Sequence, residues 1–317
     1  MKVKVSFVLI CYNEKDEVLN CIKSIKRLKT KHSYEIFLCD NASTDETLEE
    51  VKNQFKDVNI IALPKNIGTP AYNAGIKKSK GEYVFFTGSD VGLKEDMLDQ
   101  LVGLMDKNKD IAQAAPKYYS FFDHKKIDVA GTWLSRSFYS GTFKDNTLGN
   151  KIVEIPYIGT GLVRMSILKK IGYLFDEDYF IYGEDVDLGL RIRLLGYKVV
   201  YVPSSVVYHV GSVSQRIHKQ HYLTFLMERN LLTTFFKIVS FKNIITLLPY
   251  IILMRLIAML RDIFSLKFLN AFARLKALVW ILLNFAFVIK KRKQTQKLRK
   301  VSDKELLRVF SESYMFG

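Results

Sequence analysis

Three carboxylates are crowded at the start of one predicted helix in the second half of the chain. Glu184, Asp185 and Asp187 begin the segment GEDVDLGLRIRLLGY (Gly183–Tyr197), whose apolar periodicity predicts the helix. A helix start favours negative charge, because its first N–H groups are unpaired and the helix dipole is positive there. One acid is enough for that purpose, so three indicate catalysis, a bound cation or a basic partner. The structural alternative is simple pairing with the arginines of the same helix.

Strand-like and helix-like segments alternate through the first hundred residues, which predicts a parallel, doubly wound α/β sheet. The predicted strands are Val3–Ile10, Tyr34–Cys39, Val58–Leu63 and Glu82–Thr87, with helices from about Lys15, after Asn41 and near Ala71–Lys78. In such sheets ligands bind beyond the carboxyl ends of the strands. Polar residues collect at those ends, namely Tyr12, Asn13, Glu14, Asp40, Asn41, Asn66, Ser89 and Asp90. The sequence therefore predicts a ligand site along this edge.

The positive charge of the chain lies in its C-terminal third. Residues 212–317 carry 19 Lys plus Arg against 5 Asp plus Glu, whereas residues 1–211 carry 29 against 27. This distribution does not favour nucleic-acid binding, since basic charge confined to an apolar tail comes without a zinc-finger or RNP motif.

Apolar runs and a basic segment predict that this tail binds a membrane surface. Ile244–Leu260 and Ala277–Ile289 are shorter than the roughly 20 residues that cross a bilayer, and charged residues interrupt the region. The segment Lys290–Lys300 carries seven basic residues and no acid, a composition that anionic lipid headgroups attract. We expect helices that lie in the interface or fold as a tight hairpin. The alternative is a solvated basic helix beside a buried hairpin.

The cysteines and the N-terminus indicate a cytoplasmic location. Cys11, Cys21 and Cys39 are odd in number and lack CxxC spacing, which is typical of reduced core thiols. Met1 leads directly into a strand-like run, without the basic head or cleavage site of a secretory signal.

Five motifs in order resemble family 2 glycosyltransferases with the GT-A fold, and within them the rhamnosyl- and galactofuranosyltransferase-like branch. The motifs are VSFVLICYNEKDEVLNCIKSI (5–25), DNASTDET (Asp40–Thr47), NIGTPAYNAGIKKSKGEYVFFTGSD (Asn66–Asp90), GEDVDLGLRIRLLGY (Gly183–Tyr197) and PSSVVYHVGS (Pro203–Ser212). ERNLLTTFFK (Glu228–Lys237) and the basic, apolar C-terminus are also similar to that branch. The resemblance implies a GT-A domain over residues 1–238 and a membrane-associated helical region over residues 239–317.

The resemblance also implies a site for a nucleotide-sugar donor, with the turn of Tyr12 and Asn13 and the carboxylate of Asp40 at the base and ribose. The implied donor-binding residues are Cys11, Tyr12, Asn13, Glu14, Asp40, Asn66, Asn73 and Ser89. Asp90 would contact the donor diphosphate through a divalent cation, and His209 matches a histidine that some relatives bring to the metal. Mn²⁺ or Mg²⁺ suits this set, because both prefer carboxylate and phosphate oxygens and Mn²⁺ also accepts imidazole.

Gly88 departs from the family pattern. The family's metal motif usually reads Asp-x-Asp or Asn-x-Asp, whereas this chain has Gly88-Ser89-Asp90. One oxygen ligand is therefore missing, which predicts weaker metal binding or a metal that arrives with the donor. It also leaves a second hypothesis, a catalytically degenerate, membrane-associated scaffold with the same fold.

The acidic helix start matches the family's catalytic acids, one of which takes the proton of the acceptor hydroxyl as that oxygen attacks the anomeric carbon. We predict Asp185 as this base with Glu184 as the next candidate, since crowded carboxylates raise each other's pKa toward the useful range. Asp187 is expected to pair with Arg191 at i+4 and to orient the site. A single base without a covalent nucleophile implies inversion at the sugar carbon, as in the family.

The predicted function is therefore an inverting glycosyltransferase. It would move a sugar from a nucleotide-sugar donor to a lipid-linked or other glycan acceptor at the cytoplasmic face of a membrane. A nicotinamide-dependent dehydrogenase fits poorly, because the first strand-to-helix turn reads CYNE instead of GxGxxG.

Overall fold

A mixed β-sheet with helices on both faces organises the computed structural model, which describes residues 2–211 and 218–311. Ser212, the last residue of the fifth motif, lies outside the described residues. The strands are β1 (Val5–Cys11), β2 (Tyr34–Asp40), β3 (Val58–Ala62), β4 (Tyr83–Gly88), β5 (Val91–Leu93), β6 (Ile111–Ser120), β7 (Ile127–Val129), β8 (Thr132–Leu134), β9 (Ser140–Thr142), β10 (Val153–Glu154), β11 (Gly161–Arg164) and β12 (Lys198–His209). The helices are α1 (Lys15–Lys26), α2 (Thr47–Gln54), α3 (Tyr72–Lys78), α4 (Met97–Lys107), α5 (Met165–Ile171), α6 (Glu184–Leu194), α7 (Gln220–Ile238), α8 (Phe241–Phe264), α9 (Phe268–Leu283), α10 (Phe285–Gln296) and α11 (Asp303–Leu306).

The sheet begins parallel and becomes mixed. Strands β3, β2, β1 and β4 pair in that order in parallel, which confirms the predicted start of the sheet. Beyond β4, strand β11 runs antiparallel to β4 and β6, and β6 pairs in parallel with β12. Because the first four strands are parallel, their carboxyl ends meet at one edge, where the polar clusters of the sequence lie.

Apolar side chains cover both faces of the sheet. On β1, Phe7 and Leu9 join a core with α1, α2 and α4, whereas Val8 joins a core with α3, α5 and α6 on the other face. This alternation follows from the two-residue period of a strand. The three cysteines are free and buried, as the sequence predicts.

The C-terminal helices pack directly on the sheet domain. Helix α6 is buried on both sides, because α7 to α11 cover the face that it turns away from the sheet. Main-chain hydrogen bonds join the two parts, from Lys300 N to Leu194 O at 2.7 Å and from Ser311 N to Leu134 O at 2.8 Å. Residues 239–311 therefore complete the core of the sheet domain.

Helix α8 is a single helix of 24 residues, longer than the apolar run in its sequence. Among the described residues it is the one single helix that is long and apolar enough to cross a membrane, whereas α9 and α10 reach that length only as a pair bent by 74°. The expectation that each apolar run is too short therefore does not hold for α8. Its mid-helix Arg255, however, is fully buried, with an ion pair to Glu228 of α7 at 3.3 Å. One face of α8 therefore packs against the rest of the protein.

The other face of the α8–α9 hairpin is exposed and apolar, so the hairpin is not buried as the alternative expects. This apolar surface includes Leu253, Leu260, Phe264, Leu266, Phe272 and Leu282. A contiguous exposed apolar area of this kind marks an interaction surface.

The basic segment Lys290–Lys300 divides between two environments. Arg292 donates to the carbonyl oxygens of Phe236 and Val239 at 2.7 and 2.5 Å, and Arg299 pairs with Asp303 at 2.7 Å. Lys291 forms ion pairs with Asp176 and Asp178. The basic residues of the segment that remain exposed are Lys290, Lys293, Lys297 and Lys300, and the predicted binding of the segment to lipid stays a prediction.

Gly68 lets two loops approach closely beside the carboxyl edge of the sheet. Its φ is +72°, and a Cβ there would lie 1.9 Å from the carbonyl oxygen of Phe180. Thr69 N donates to that same oxygen at 2.9 Å, so the loop before α3 is fastened to the loop before α6. Only glycine provides both the backbone conformation and the space.

We expect Gly68→Ala to lower the free energy of unfolding by about 2 kcal/mol or more beyond the effect of Gly149→Ala, as measured by urea denaturation. Gly149 is the matched control, because its φ is +65° but no atom lies within 4 Å of its ideal Cβ position. Equal losses in the two variants would mean that the Phe180 contact is unimportant.

Candidate active site

A cleft opens at the carboxyl ends of β1 and β4. Its walls are Ile10, Cys11, Tyr12, Glu14, Asn41, Asn66, Gly68, Thr69, Gly88, Ser89, Asp90, Phe180, Ile181 and His218. The empty space measures about 690 Å³, including the part open to solvent, which is within the range of small-molecule sites. The structure thus brings most of the polar clusters of the sequence into one concave site.

The turn after β1 is tied to the loop after β2. Asn13 has a φ of 54°, a conformation that Asn tolerates, and its N–H donates to Ser43 Oγ at 3.0 Å. Its side-chain oxygen accepts from Thr44 N at 2.7 Å, and Asp40 Oδ2 accepts from Ser43 N at 3.1 Å. The side chains of Asn13 and Asp40 therefore hold the loop after β2 in place. Neither residue is among those that line the cleft. Their contact with a nucleotide stays a prediction.

Asn73 is not among the residues that line this cleft, and its expected place near the donor stays a prediction. Its side-chain oxygen accepts from the N–H groups of Leu174 and Phe175, and its amide donates to Phe175 O at 2.7 Å. All of these partners lie in the loop between α5 and α6. Asn73 therefore holds the loop that leads into the acidic helix.

Asn41 and Ser89 shape the cleft from within. Asn41 donates to Gly68 O at 3.1 Å and accepts from Ile67 N at 3.2 Å, so it fixes the loop that carries Asn66. Ser89 donates a hydrogen bond to the carboxylate of Glu14. These contacts join the ends of β1, β2 and β4 into one rigid wall.

His209 lies between two carboxylates at one end of the cleft. Its Nε2 is 3.2 Å from Asp90 Oδ2, and its Nδ1 is 2.5 Å from Asp128 Oδ2. Burial by itself lowers the pKa of His209, but the hydrogen bonds to Asp128 and Asp90 outweigh it and raise the pKa to about 9. Strand β12 carries His209 to this position, because it pairs with β5 directly after Asp90.

Gly88 leaves space that the side chain of Asp90 fills. A Cβ on residue 88 would lie 2.6 Å from Asp90 Oδ1. A larger residue here would therefore displace the carboxylate of Asp90.

Glu184 and Asp185, the acid pair, lie at the start of α6, where Glu184 interacts with the side chain of Thr69 in the cleft wall. Burial raises the pKa of Tyr72, and the charges of Asp90 and Glu184 add to it. Burial likewise raises the pKa of Tyr118, as do the charges of Asp90 and Asp185. Asp90 and the acid pair therefore act on the same two tyrosines, although neither Glu184 nor Asp185 is among the residues that line the cleft.

Glu184 and Asp185 are both held in a protonatable state. Burial, followed by the charge of Asp185, raises the pKa of Glu184 to about 8. Burial raises the pKa of Asp185 to about 6, although its Oδ1 accepts a hydrogen bond from Val186 N at 2.8 Å. One oxygen of Glu184 has no hydrogen-bond partner among the described residues. Such tuned carboxyl groups are suited to proton transfer near neutral pH.

Asp187 differs from its two neighbours because its charge is neutralised. It is fully buried, and its oxygens pair with Arg191 Nε and Lys237 Nζ, each at 2.7 Å. The predicted i+4 pair with Arg191 is confirmed. Asp187 lies in the protein interior, and its predicted part in orienting the site stays a prediction.

Several cleft residues have no clear signal in the sequence. Phe180, Ile181 and His218 line the cleft, and Asp128 holds His209. Asp128 sits in a short strand of an irregular region, where periodicity gives no guidance. The hydrogen bonds of Thr69 to Phe180 could be anticipated only from the three-dimensional structure.

We expect the two carboxyl groups to titrate well above their ordinary values of about 4, Asp185 near 6 and Glu184 near 8, in ¹³C NMR of labelled side chains. Asp185→Asn should lower the pKa of Glu184, because a like charge is removed, but burial should keep it raised. Titration of both groups near pH 4 would contradict this description of the site.

Comparison with known proteins identifies the family. Residues 6–172 match the model of Glycosyl transferase family 2. A dolichyl N-acetyl-alpha-D-glucosaminyl phosphate 3-beta-D-2,3-diacetamido-2,3-dideoxy-beta-D-glucuronosyltransferase of Methanococcus voltae is 23% identical over 231 residues, 68% of this chain and 70% of that protein. An N-acetylglucosaminyl-diphospho-decaprenol L-rhamnosyltransferase of Mycobacterium tuberculosis is 26% identical over 222 residues, 61% of this chain and 69% of that protein. A poly(ribitol-phosphate) beta-glucosyltransferase of Bacillus spizizenii is 35% identical over 182 residues, 53% of this chain but 26% of that protein.

Solved structures share the fold. GalNAc-T7 with UDP, GalNAc and Mn²⁺ superposes with a TM-score of 0.61 at 16% identity, over 74% of this chain and 47% of that one. Residues 1–349 of TarS from S. aureus in complex with UDP give a TM-score of 0.51 at 17% identity, over 73% of this chain and 66% of that one. These likenesses show the GT-A fold that the five motifs predict. Because the family match covers more than half of the sequence, this chain belongs to glycosyl transferase family 2.

Proposed function

We propose that this protein is an inverting glycosyltransferase. It transfers a sugar from a nucleotide-sugar donor to a lipid-linked or other glycan acceptor at the cytoplasmic face of a membrane. The observation that carries the proposal is the pair of protonatable acids at the start of α6, Glu184 and Asp185, next to a cleft of nucleotide size that contains Asp90. Glu184 interacts with the side chain of Thr69, which lines that cleft.

Asp185 is the general base in this mechanism. It takes the proton of the acceptor hydroxyl as that oxygen bonds to the anomeric carbon, and the bond from that carbon to the diphosphate oxygen breaks. With a pKa of about 6, Asp185 is mostly ionised at pH 7, and activity falls as the pH drops through about 6 and the base becomes protonated. Attack by the acceptor from the face opposite the leaving diphosphate inverts the sugar carbon.

Glu184 has a complementary part. Its pKa of about 8 keeps it protonated at pH 7, and a protonated carboxyl group can donate a hydrogen bond. One of its oxygens lacks a partner among the described residues, so a hydroxyl group of the donor sugar would satisfy it. This division explains why two adjacent acids are not redundant.

The residues present suit a divalent cation brought in with the donor. Asp90 offers a carboxylate and His209 an imidazole nitrogen on the same side, 3.2 Å apart, and Mn²⁺ accepts both ligand types. Asp128 holds the opposite ring nitrogen, the usual arrangement that orients a metal-binding histidine. Within the described ranges no group of three or more His, Cys, Asp or Glu side chains could hold a metal alone.

The remaining ligands would therefore be diphosphate oxygens and water, and Mg²⁺ could use the carboxylate and diphosphate without the imidazole. Asp90 and His209 would hold the cation, which would supply positive charge beside the leaving diphosphate. His209 must lose the proton that its raised pKa retains before its Nε2 can bind a metal.

The membrane assignment rests on the apolar surface of the α8–α9 hairpin. Its exposed leucines and phenylalanines adjoin exposed basic residues such as Lys242, Lys267 and Lys276. Apolar side chains flanked by basic residues favour the headgroup region of anionic lipid. The relatives from Methanococcus voltae and Mycobacterium tuberculosis carry names that include dolichyl phosphate and diphospho-decaprenol acceptors, which supports a lipid-linked acceptor here.

We expect Asp185→Asn to lower turnover by about 100-fold or more while donor binding stays near the parental value, because only the proton transfer is removed. Turnover is measured as donor hydrolysis or transfer by purified protein with Mn²⁺, and donor affinity by calorimetry. Glu184→Gln is the matched comparison and should cost less.

The same assay decides between the proposals. Loss of activity in Glu184→Gln with activity retained in Asp185→Asn would reassign the base. Activity that resists EDTA would rule out the metal, and a chain that binds but never turns over donors would favour the scaffold hypothesis raised by Gly88.

We expect the double variant Phe264→Glu and Leu266→Glu to weaken binding to anionic liposomes by tenfold or more in sedimentation assays. Each side chain is largely exposed at the turn of the hairpin, at 84% and 76%, and burial of such a side chain contributes about 1.5–3 kcal/mol. Phe122→Glu is the matched control, because Phe122 is 78% exposed but lies outside the hairpin. Equal binding by both variants would contradict the assignment of this surface.

A further inference from the structure

A chain of buried charges links the acidic helix to the C-terminal helices. Lys237 of α7 is fully buried and lies 2.7 Å from Asp187 Oδ1 and 2.7 Å from Asp176 Oδ2. Asp176 also pairs with Lys291 of α10. The path therefore runs from α6 through the loop between α5 and α6 to a helix that continues from the apolar hairpin.

The charges in this path depend on each other. Burial alone raises the pKa of Asp176, but Lys237 and Lys291 outweigh it and hold the pKa well below its usual range. Burial alone lowers the pKa of Lys237, but Asp187 outweighs it and holds the pKa well above its usual range. Removal of one partner leaves an uncompensated charge inside the protein, which is strongly unfavourable.

The path ends at the loop that sets the position of the acid pair. Arg191, paired with Asp187, donates to the carbonyl oxygens of Tyr173 and Leu174 at 3.1 and 2.6 Å. Asn230 of α7 donates to the carbonyl oxygens of Ile181 and Tyr182 at 3.1 and 2.6 Å. The loop of residues 173–183 is therefore held at both ends. Asn230 of α7 holds its C-terminal end, and Arg191 holds its N-terminal end while its partner Asp187 pairs with Lys237 of α7.

We propose that Lys237 and Lys291 are positioning residues for the acid pair, so that docking of α7 and α10 is part of the catalytic site. This inference rests on the proposed function for its kinetic consequence alone. Lys291 acts inside the protein, although its sequence context, KKRK, is typical of a residue that faces lipid or solvent. Its side chain is 16% exposed.

The test compares Lys291→Met with Lys304→Met in detergent-solubilised full-length protein. Lys304 is an exposed lysine of the same C-terminal region. We expect Lys291→Met to lower kcat for donor hydrolysis about tenfold with donor KM changed less than about twofold, because a small displacement of a catalytic group is costly. Lys304→Met should match the parent, and Lys291→Arg, which keeps the charge, should recover most of the loss.

Hydrogen exchange provides a readout that does not require activity. Lys291→Met should raise amide exchange in residues 173–190 and leave β1 and β4 unchanged. Asp176→Asn combined with Lys291→Met should cost no more than the larger of the two single effects, since both act on one network.

The outcomes separate the two proposals. Parental kcat and parental exchange in Lys291→Met would overturn the positioning role, and so would a uniform rise in exchange across the sheet, which would indicate general destabilisation. If the parent protein turns over no donor, the proposed function fails, while the exchange comparison still decides whether the network holds the loop.

Discussion

The compensation of charge around Lys237 is the interaction on which the rest of the site depends. An ammonium group at 0% exposure is tolerable only because Asp176 and Asp187 lie within ion-pair distance on two sides. The need to pair these charges holds α6, the loop before it and α7 in one arrangement, because a shift of any of them would leave a buried charge without its partner. The acid pair lies in the first turn of α6, so its position is fixed together with that helix.

The same burial divides three neighbouring acids into two kinds. Asp187 has its charge neutralised by Arg191 and Lys237 and serves the fold. Glu184 and Asp185 lack such cationic partners among the described residues, and burial raises the pKa of each. Desolvation without compensation keeps a carboxyl group protonatable near neutral pH, so one turn of helix contains both a structural anchor and the two groups that are proposed to act in the reaction.

The C-terminal helices bury charged side chains and expose apolar ones, the reverse of the usual arrangement in soluble proteins. Their inner faces carry Glu228, Arg255, Asp262 and Arg274 in a buried, mutually paired cluster, whereas their outer faces are apolar and exposed. The paired charges hold the α8–α9 hairpin against the rest of the protein. Its exposed apolar face remains free to contact a lipid surface. The carboxyl edge of the sheet and the apolar surface are therefore parts of one packed body.

The sequence by itself determined the parallel start of the sheet, the carboxyl-edge location of the polar clusters, the buried free cysteines and the Asp187–Arg191 pair. These features follow from local periodicity and spacing, which short segments carry by themselves. Only the tertiary structure decided that Asn73 supports a loop, that Asp128 holds His209 and that Lys291 points inward. Each of these residues has a partner far away in the chain: Asn73 binds Phe175, Asp128 binds His209 and Lys291 binds Asp176. No local sequence pattern encodes which distant group will neutralise a charge or accept a hydrogen bond.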